Sequence, residues 1–292
     1  MSANCDGSSF AWIDLSSGKI DRWDPGPDTM RQWVGGKALA AHLLHEFLPE
    51  GVDPLGEDNV VVFLAGPLTG TGFPAASRSC LATRSPLTGT FSDSYCGGRV
   101  GPYLRRAGWG GVLIKGRAET PVYVLIEPGR ITLRPAGHLK GMTTHDTARQ
   151  VRAEWPDRKR LTVAAIGPAG ENLVSMANVI NGGRAFGRGG IGAVFGAKNL
   201  KAVAVVDGER IEPAQKGRSY EIVKDVRRSV YDATEQLQIP WESSSLVEPI
   251  PFAAAAPSAT DATGSETAGE PARDTEAVTI RSILNPEISI GA

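Results

Sequence analysis

The segment NGGRAFGRGGIGAVFGAKNL, residues 181–200, interleaves clustered glycines with Arg184, Arg188 and Lys198. Glycine lets the backbone turn several N–H groups toward one point, and a helix opening directly behind adds its positive end. With two arginines and a lysine supplying full charges, the segment suits a phosphate-bearing ligand. The competing reading is a tight turn between packed elements whose basic residues are merely solvated. Residues 187–192 also spell GxGxxG, the pattern of a dinucleotide-binding turn. That fingerprint requires a strand directly before it and a ribose-binding acid ~20 residues later. Residues 178–186 hold two glycines and two asparagines and do not read as a strand, while Asp207 and Glu209 stand at a passable distance. An NAD(P)-binding domain using Gly187–Gly192 therefore stays open as an alternative, and the absence of GxxxxGK[ST] disfavours a P-loop.

Outward from this segment the chain repeats itself. The apolar run VVVFLA (60–65) leads into Gly66-Pro67-Leu68-Thr69-Gly70, as TVAAI (162–166) leads into Gly167-Pro168-Ala169-Gly170. Gly97, Gly98 and Gly101 then lead through Tyr103-Leu104 to the strand-like Val112-Leu113-Ile114. Gly189, Gly190 and Gly192 lead through Val194-Phe195 to Val203-Ala204-Val205 at the same spacing. Each unit reads as a strand, a Gly-Pro turn, a Gly-rich loop opening a helix, and a returning strand. Two such units facing each other would set two anion-seeking loops around one ligand.

Shorter signals fill the frame. Residues 10–15 and 18–23 alternate about a Ser-Ser-Gly turn, and 122–126 with 131–134 flank Glu127-Pro128-Gly129-Arg130, so both read as hairpins. Residues 33–47 carry Leu39, Leu43, Leu44 and Phe47 at helical spacing behind Gly35-Gly36, and Thr144 reads as the cap of a helix to Glu154. A helix over 218–237 presents Ile222, Val226, Val230, Ala233 and Leu237 on one face. Residues 251–278 are small, polar and broken by Pro and Gly, too poor in large apolar groups for a core, with a short apolar remnant at 278–284. The organisation read is a domain over 1–212, a helix and vestige of a further domain over 213–250, and a disordered tail over 251–292.

Composition sets limits. A net charge of −1 gives no reason to expect nucleic acid or an anionic membrane, and no stretch approaches the ~20 apolar residues of a membrane span. The N-terminus carries no basic region ahead of an apolar run, so the default is a cytoplasmic protein. Cys5, Cys80 and Cys96 are far apart and form no CxxC, which favours small buried side chains over metal ligands. His42 and His45 permit metal ligation by spacing, yet without a nearby acid or cysteine they read as surface or packing residues. Residues 77–89, SRSCLATRSPLTG, read as a second basic loop. There Arg78 either pairs with a phosphate or ring heteroatoms, or packs over the loop.

The runs LAGPLTGTGFPAASR (64–78), TRSPLTG (83–89), IGPAGEN (166–172) and GRGGIGAVFGAKNLKAVAV (187–205) resemble the N-terminal domain of aldehyde:ferredoxin oxidoreductases, over residues 10–212. The resemblance implies an α+β fold: two similar mixed β-sheet units with flanking helices, forming the base beneath a tungsten or molybdenum bis-pyranopterin. It implies that Arg78 contacts pterin and that Gly97 and Gly98, with Tyr95 and Cys96 ahead of them, form the first phosphate loop. Arg184, Ala185, Gly187, Arg188, Gly189 and Gly190 would form the second, with Mg2+ bridging the phosphates. The first loop departs from the family's Asn-Ser-Gly-Gly, which leaves main-chain contacts intact and puts side-chain contacts in doubt. Family members continue about as long again and carry the cysteine ligands of a [4Fe-4S] cluster, whereas no cysteine follows Cys96 here. The expectation is the cofactor-binding part of an aldehyde oxidoreductase, with no catalytic residue of its own. The missing domains would lie on another chain or have been lost, leaving a truncated or split enzyme inactive alone; ferredoxin would be reached through such a partner, and homodimerisation stays open. A non-catalytic pterin-binding or carrier module is the alternative.

Overall fold

The computed structural model describes residues 9–213 and 215–236. The chain opens with the hairpin of β1 (Ser9–Asp14) and β2 (Lys19–Trp23), turned at Gly18 with φ of 72°. The helix expected over 33–47 is α2 (Gly36–Phe47), opening at Gly35-Gly36 as read, and a separate helix α1 (Pro27–Trp33), not expected, precedes it. Between them Val34 has φ of 62°, and the Gly35 N–H reaches the Trp33 carbonyl at 2.6 Å, closing a three-residue turn that no continuous helix accommodates. There follow β3 (Val61–Ala65), β4 (Ser79–Arg84), β5 (Phe91–Cys96), α3 (Val100–Arg106) and β6 (Trp109–Lys115).

The second half repeats the order with β7 (Val122–Glu127), β8 (Arg130–Pro135), α4 (Thr144–Ala153), β9 (Leu161–Ala165) and the short α5 (Pro168–Glu171). It closes with β10 (Val179–Asn181), β11 (Arg184–Phe186), α6 (Ile191–Ala197) and β12 (Leu200–Val206). The cap of α4 is Thr143, one residue before the expected Thr144: its Oγ1 accepts the Asp146 N–H at 3.1 Å. Residues 178–186, not expected to form strand, make the β10–β11 hairpin. Their three-residue strands are too short to show alternation.

The two sheets are copies in topology. Their strand orders are β2-β1-β6-β3-β4-β5 and β8-β7-β12-β9-β10-β11. In each, the last strand runs parallel to the first (β1 with β6, β7 with β12), and every other pairing is antiparallel. The equal spacing read in the sequence holds, since α3 and α6, like β6 and β12, begin 91 residues apart. The α+β fold of two mixed sheets with flanking helices is therefore what the chain adopts.

Apolar alternation explains the layers. One face of the first sheet (Ile13, Phe63, Leu81, Val112) and one face of the second (Val124, Ala164, Val203) share a central core with Leu104 of α3 and Val194 of α6. Phe63 and Phe186 meet edge to face there, with centroids 6.0 Å apart. The outer face of the first sheet lies under α2 and the outer face of the second under α4. Each fully buried side chain of this size contributes about 1.5–3 kcal/mol.

Two polar ties cross between the halves. Arg106, at the end of α3, and Arg160 both bind the buried carboxylate of Asp207, which follows β12; the Arg106 contact is 3.3 Å. Lys198, just past α6, sends its Nζ to the carbonyls of Gly116 (3.0 Å) and Glu57 (3.1 Å), which lie together at one end of the antiparallel strands β3 and β6. Lys198 is 1% exposed, and burial, then the nearby Arg117 charge, lowers its pKa to about 8.

This first compact unit ends at Lys216, and α7 (Lys216–Gln236) leads into a second. Within α7, Ile222 and Val226 are exposed. Leu237, residues 243–249, the 251–292 tail and Cys5 lie outside the described residues.

Candidate anion-binding site

β5 is the edge strand of the first sheet, and its side chains alternate between two destinations. Tyr95 points to the α2 side, where its hydroxyl accepts the Lys37 N–H at 2.9 Å. Cys96 points into the core between the sheets and is 1% exposed. Burial pushes the Cys96 thiol up to about 11 against the pull of Arg184 and Arg78, and pushes Cys80 up to about 12. Cys96 is thus enclosed in the core, while Tyr95 is 38% exposed and tied to α2 through its hydroxyl.

The chain from β11 into α6 lies along this same edge. Arg184 packs on Gly97, where a Cβ would come within 3.3 Å of its Cδ; a Cβ on Gly98 would lie 3.3 Å from Asn181 Oδ1. Gly98 has φ of 85°, a region that favours glycine. Further along, the Arg188 N–H donates to Ser94 Oγ at 3.2 Å, and Gly189 sits so close that a Cβ would overlap the Ser92 side chain. Ser85 Oγ donates to the Gly189 carbonyl at 2.8 Å, and Gly190 is wedged against the Ser175 carbonyl and Pro86.

The expected site residues therefore separate into two groups. Arg78, Cys96, Gly97, Gly98 and Arg184 come together, with Ala185, Gly187 and Arg188 following along β5. Gly189 and Gly190 lie farther down the strand, where close packing and φ of 71° and 69° demand glycine. The Arg188 N–H is spent on Ser94, so this loop does not aim all of its amides at one point.

Charge distinguishes the first group. Arg78, Arg184 and Arg188 are exposed, and among the described residues none of their side chains makes a hydrogen bond or an ion pair. An exposed cluster of unpaired guanidinium groups beside a glycine loop attracts a multiply charged oxyanion. Lys198, expected to join them, does not: α6 carries it to the far end of the helix, into the tie with Gly116 and Glu57. Residues 77–89 are likewise not a basic loop. β4 occupies 79–84, which sets Arg78 and Arg84 about 20 Å apart by strand rise, and Arg84 Nε binds the Gly89 carbonyl.

The dinucleotide reading fails on context. A strand does precede Gly187, but β11 is a three-residue antiparallel edge strand and not the first arm of a parallel βαβ unit. Asp207, the proposed ribose partner, is committed to Arg106 and Arg160. Among the described residues no group of three or more His, Cys, Asp or Glu side chains is arranged to hold a metal ion. His42 stacks on Trp33, with ring centroids 5.0 Å apart, a packing role. A cavity of about 280 Å3 lined by Lys140, Glu171, Asn199 and Lys201 lies at the opposite end of α6 from the arginines. No helix among the described residues is long and apolar enough to cross a membrane.

Sequence reasoning missed Ser85 and Ser94, which bond the 188–189 backbone to the first half, and Ser92, which packs against Gly189. The signal was present in TRSPLTG, where the arginine drew attention and the serine did not.

Residues 10–207 match the family model of the aldehyde ferredoxin oxidoreductase N-terminal domain. The chain is 40% identical over 217 residues to the tungsten-containing aldehyde ferredoxin oxidoreductase of Pyrococcus furiosus, covering 74% of this chain and 36% of that protein. It is 32% identical over 206 residues to the aliphatic sulfonate oxidoreductase, WOR-like subunit, of the same organism, covering 65% of this chain and 33% of that one. Among solved structures, the active site complex BamBC of benzoyl coenzyme A reductase aligns with a TM-score of 0.76 at 33% identity, over 78% of this chain and 35% of that chain. The chain thus spans about a third of the length of the relatives it matches. Through the domain built from its two copied sheets, this chain belongs to the aldehyde ferredoxin oxidoreductase family.

Proposed function

We propose that the chain holds the phosphate-bearing cofactor of a tungsten- or molybdenum-pterin oxidoreductase that oxidises aldehydes to carboxylic acids with ferredoxin as acceptor. The observation that carries this reading is the set of unpaired arginines, Arg78, Arg184 and Arg188, arranged along one edge strand beside the Gly97-Gly98 loop. Their charge and the absence of a Cβ at that loop fit a bulky anion with two phosphate groups. Bound there, the metal and its two pterins would supply the two-electron chemistry. The arginines would neutralise phosphate, and main-chain oxygens near Tyr95 and Ala185 would hold the Mg2+ that offsets the remaining charge. Arg78, next to the buried Cys96, would orient the ring system.

The relatives are roughly three times as long as the matched region, so the groups that touch aldehyde and the cysteines of an iron–sulfur cluster belong, on this reading, to sequence outside it. Cys80 and Cys96 are poor cluster ligands, because both are buried in the core and, among the described residues, no third or fourth ligand stands beside them. Elemental analysis of chain purified anaerobically from its native host, with a dye-coupled aldehyde assay of the same sample, tests the proposal. Tungsten or molybdenum with no turnover by residues 1–292 alone supports it. Metal-free protein, or aldehyde turnover by residues 1–292 unaided, would overturn it.

A further inference from the structure

TRSPLTG is a sequence signature that the anion site itself leaves without a role. Its serine is fully buried, although serine gains nothing from burial unless its hydroxyl is used. Ser85 Oγ is used three times. It accepts the Leu87 and Thr88 N–H groups at 3.1 Å each, closing its own turn, and donates to the Gly189 carbonyl at 2.8 Å, across 104 residues of chain. Six residues past that turn, Ser94, 3% exposed, takes the Arg188 N–H at 3.2 Å. Ser92 fills the space that a side chain at 189 would need. The first half thus grips the second on both sides of the 188–189 peptide. Because each peptide is planar, fixing the amide hydrogen at 188 and the carbonyl at 189 fixes the Cα of Arg188 between them.

We propose that the Ser85–Gly89 turn, together with Ser94, is a latch that sets Arg188 and the 187–190 loop at the anion site, making Ser85 and Ser94 positioning residues for the phosphate ligand. This rests on the reading of that site as a phosphate cradle. Arg188 is exposed and has no partner of its own, so nothing else among its described contacts orients it. Without the latch the arginine keeps its charge and loses its placement, and placement is what a bidentate guanidinium–phosphate contact requires. The grip also joins the two phosphate loops mechanically. β5 carries Ser92 and Ser94 and runs directly into Cys96-Gly97-Gly98, where Arg184 returns the contact.

Titration of the full chain with inorganic phosphate by calorimetry tests this, using Ser85→Ala, Ser94→Ala, Arg188→Ala and the Ser94→Ala/Arg188→Ala pair. Hydrogen exchange over 187–191 is followed on the same proteins. The expectation is that each serine variant binds phosphate about tenfold more weakly and exchanges faster at 187–191, with β9 and β12 as protected as before. The double variant should bind no worse than Arg188→Ala, because Ser94 acts through Arg188. Should Ser94→Ala fold poorly, Ser85→Ala carries the same expectation. Serine variants that bind like the parent while Arg188→Ala weakens would overturn the latch and leave the phosphate site standing. Parent protein that binds no phosphate, or is indifferent to Arg188→Ala, would remove the site itself and the latch with it.

Discussion

The two halves of the molecule share one strand order, and one difference between them shapes the site. From first strand to last, β1–β6 and β7–β12 pair in the same order and sense. The difference lies at the edge. β4 and β5 are six residues each and end in the Ser85–Gly89 turn, whereas their counterparts β10 and β11 are three residues each, turning at Gly182-Gly183. The long hairpin of the first half provides a surface, and the short hairpin of the second leaves Arg184 to Gly190 free to lie along it. A copied scaffold thus gives one cradle with unlike sides: one half contributes the glycine loop and the serine grip, the other contributes two of the arginines.

Equivalent glycines break or sharpen this comparison most strongly. Gly98 and Gly189 stand 91 residues apart, each with positive φ, two residues before the first residue of α3 or α6. Gly189→Ala forces a Cβ into Ser92 and should cost about 3 kcal/mol or more, read as a large drop in the thermal midpoint. Gly98→Ala meets nothing nearer than Asn181 Oδ1 at 3.3 Å and should cost about 1 kcal/mol of backbone strain. Equal losses would mean that the two edges have not diverged as described.

The cross-ties come next. Asp207→Ala removes a carboxylate that is 1% exposed and serves two arginines, and urea melts should show a loss of about 2 kcal/mol. The loss stays modest because Arg160 is more than half exposed and screened by solvent. Lys198 gives its counterpart a pH signature. Its folded pKa of about 8 lies below the usual lysine value of 10.5, so between these pH values the unfolded chain binds more protons than the folded one. Stability from this group therefore rises with pH above 8, and the penalty for burying the charge is fully present below it. Lys198→Met should abolish that rise, as urea midpoints at pH 7.5 and 9.5 would report.

The smallest effect concerns reactivity. With pKa values pushed up to about 12 and 11, Cys80 and Cys96 should stay unmodified by iodoacetamide at pH 8 and react after denaturation, by peptide mapping.

Much of this was legible before the coordinates. Continuous apolar runs followed by Gly-Pro turns reveal β3 and β9 because a strand buried on both faces needs nothing else. Equal spacing reveals α3–β6 and α6–β12 as copies. The break at Val34 was hidden, since valine gives no hint of positive φ. β10 and β11 were hidden because three residues cannot display a period. Arg78, Arg184 and Gly97 were singled out by chemistry and family resemblance, and the fold brings them together. Lys198 misled, because the sequence shows a charge but not the seven residues of helix that carry it away. The direction of the Tyr95 ring was not legible from its place beside Gly97, because strand alternation decides which side of a sheet a side chain serves.

The most direct test of the cradle is the pterin content of folded chain purified anaerobically from its native host, measured by fluorescence after oxidation, beside an Arg184→Ala/Arg188→Ala variant. The account predicts about two pterins per chain in the parent and a near-complete loss in the variant at unchanged secondary structure. Folded parent without pterin, or a variant that keeps its full complement, would contradict it.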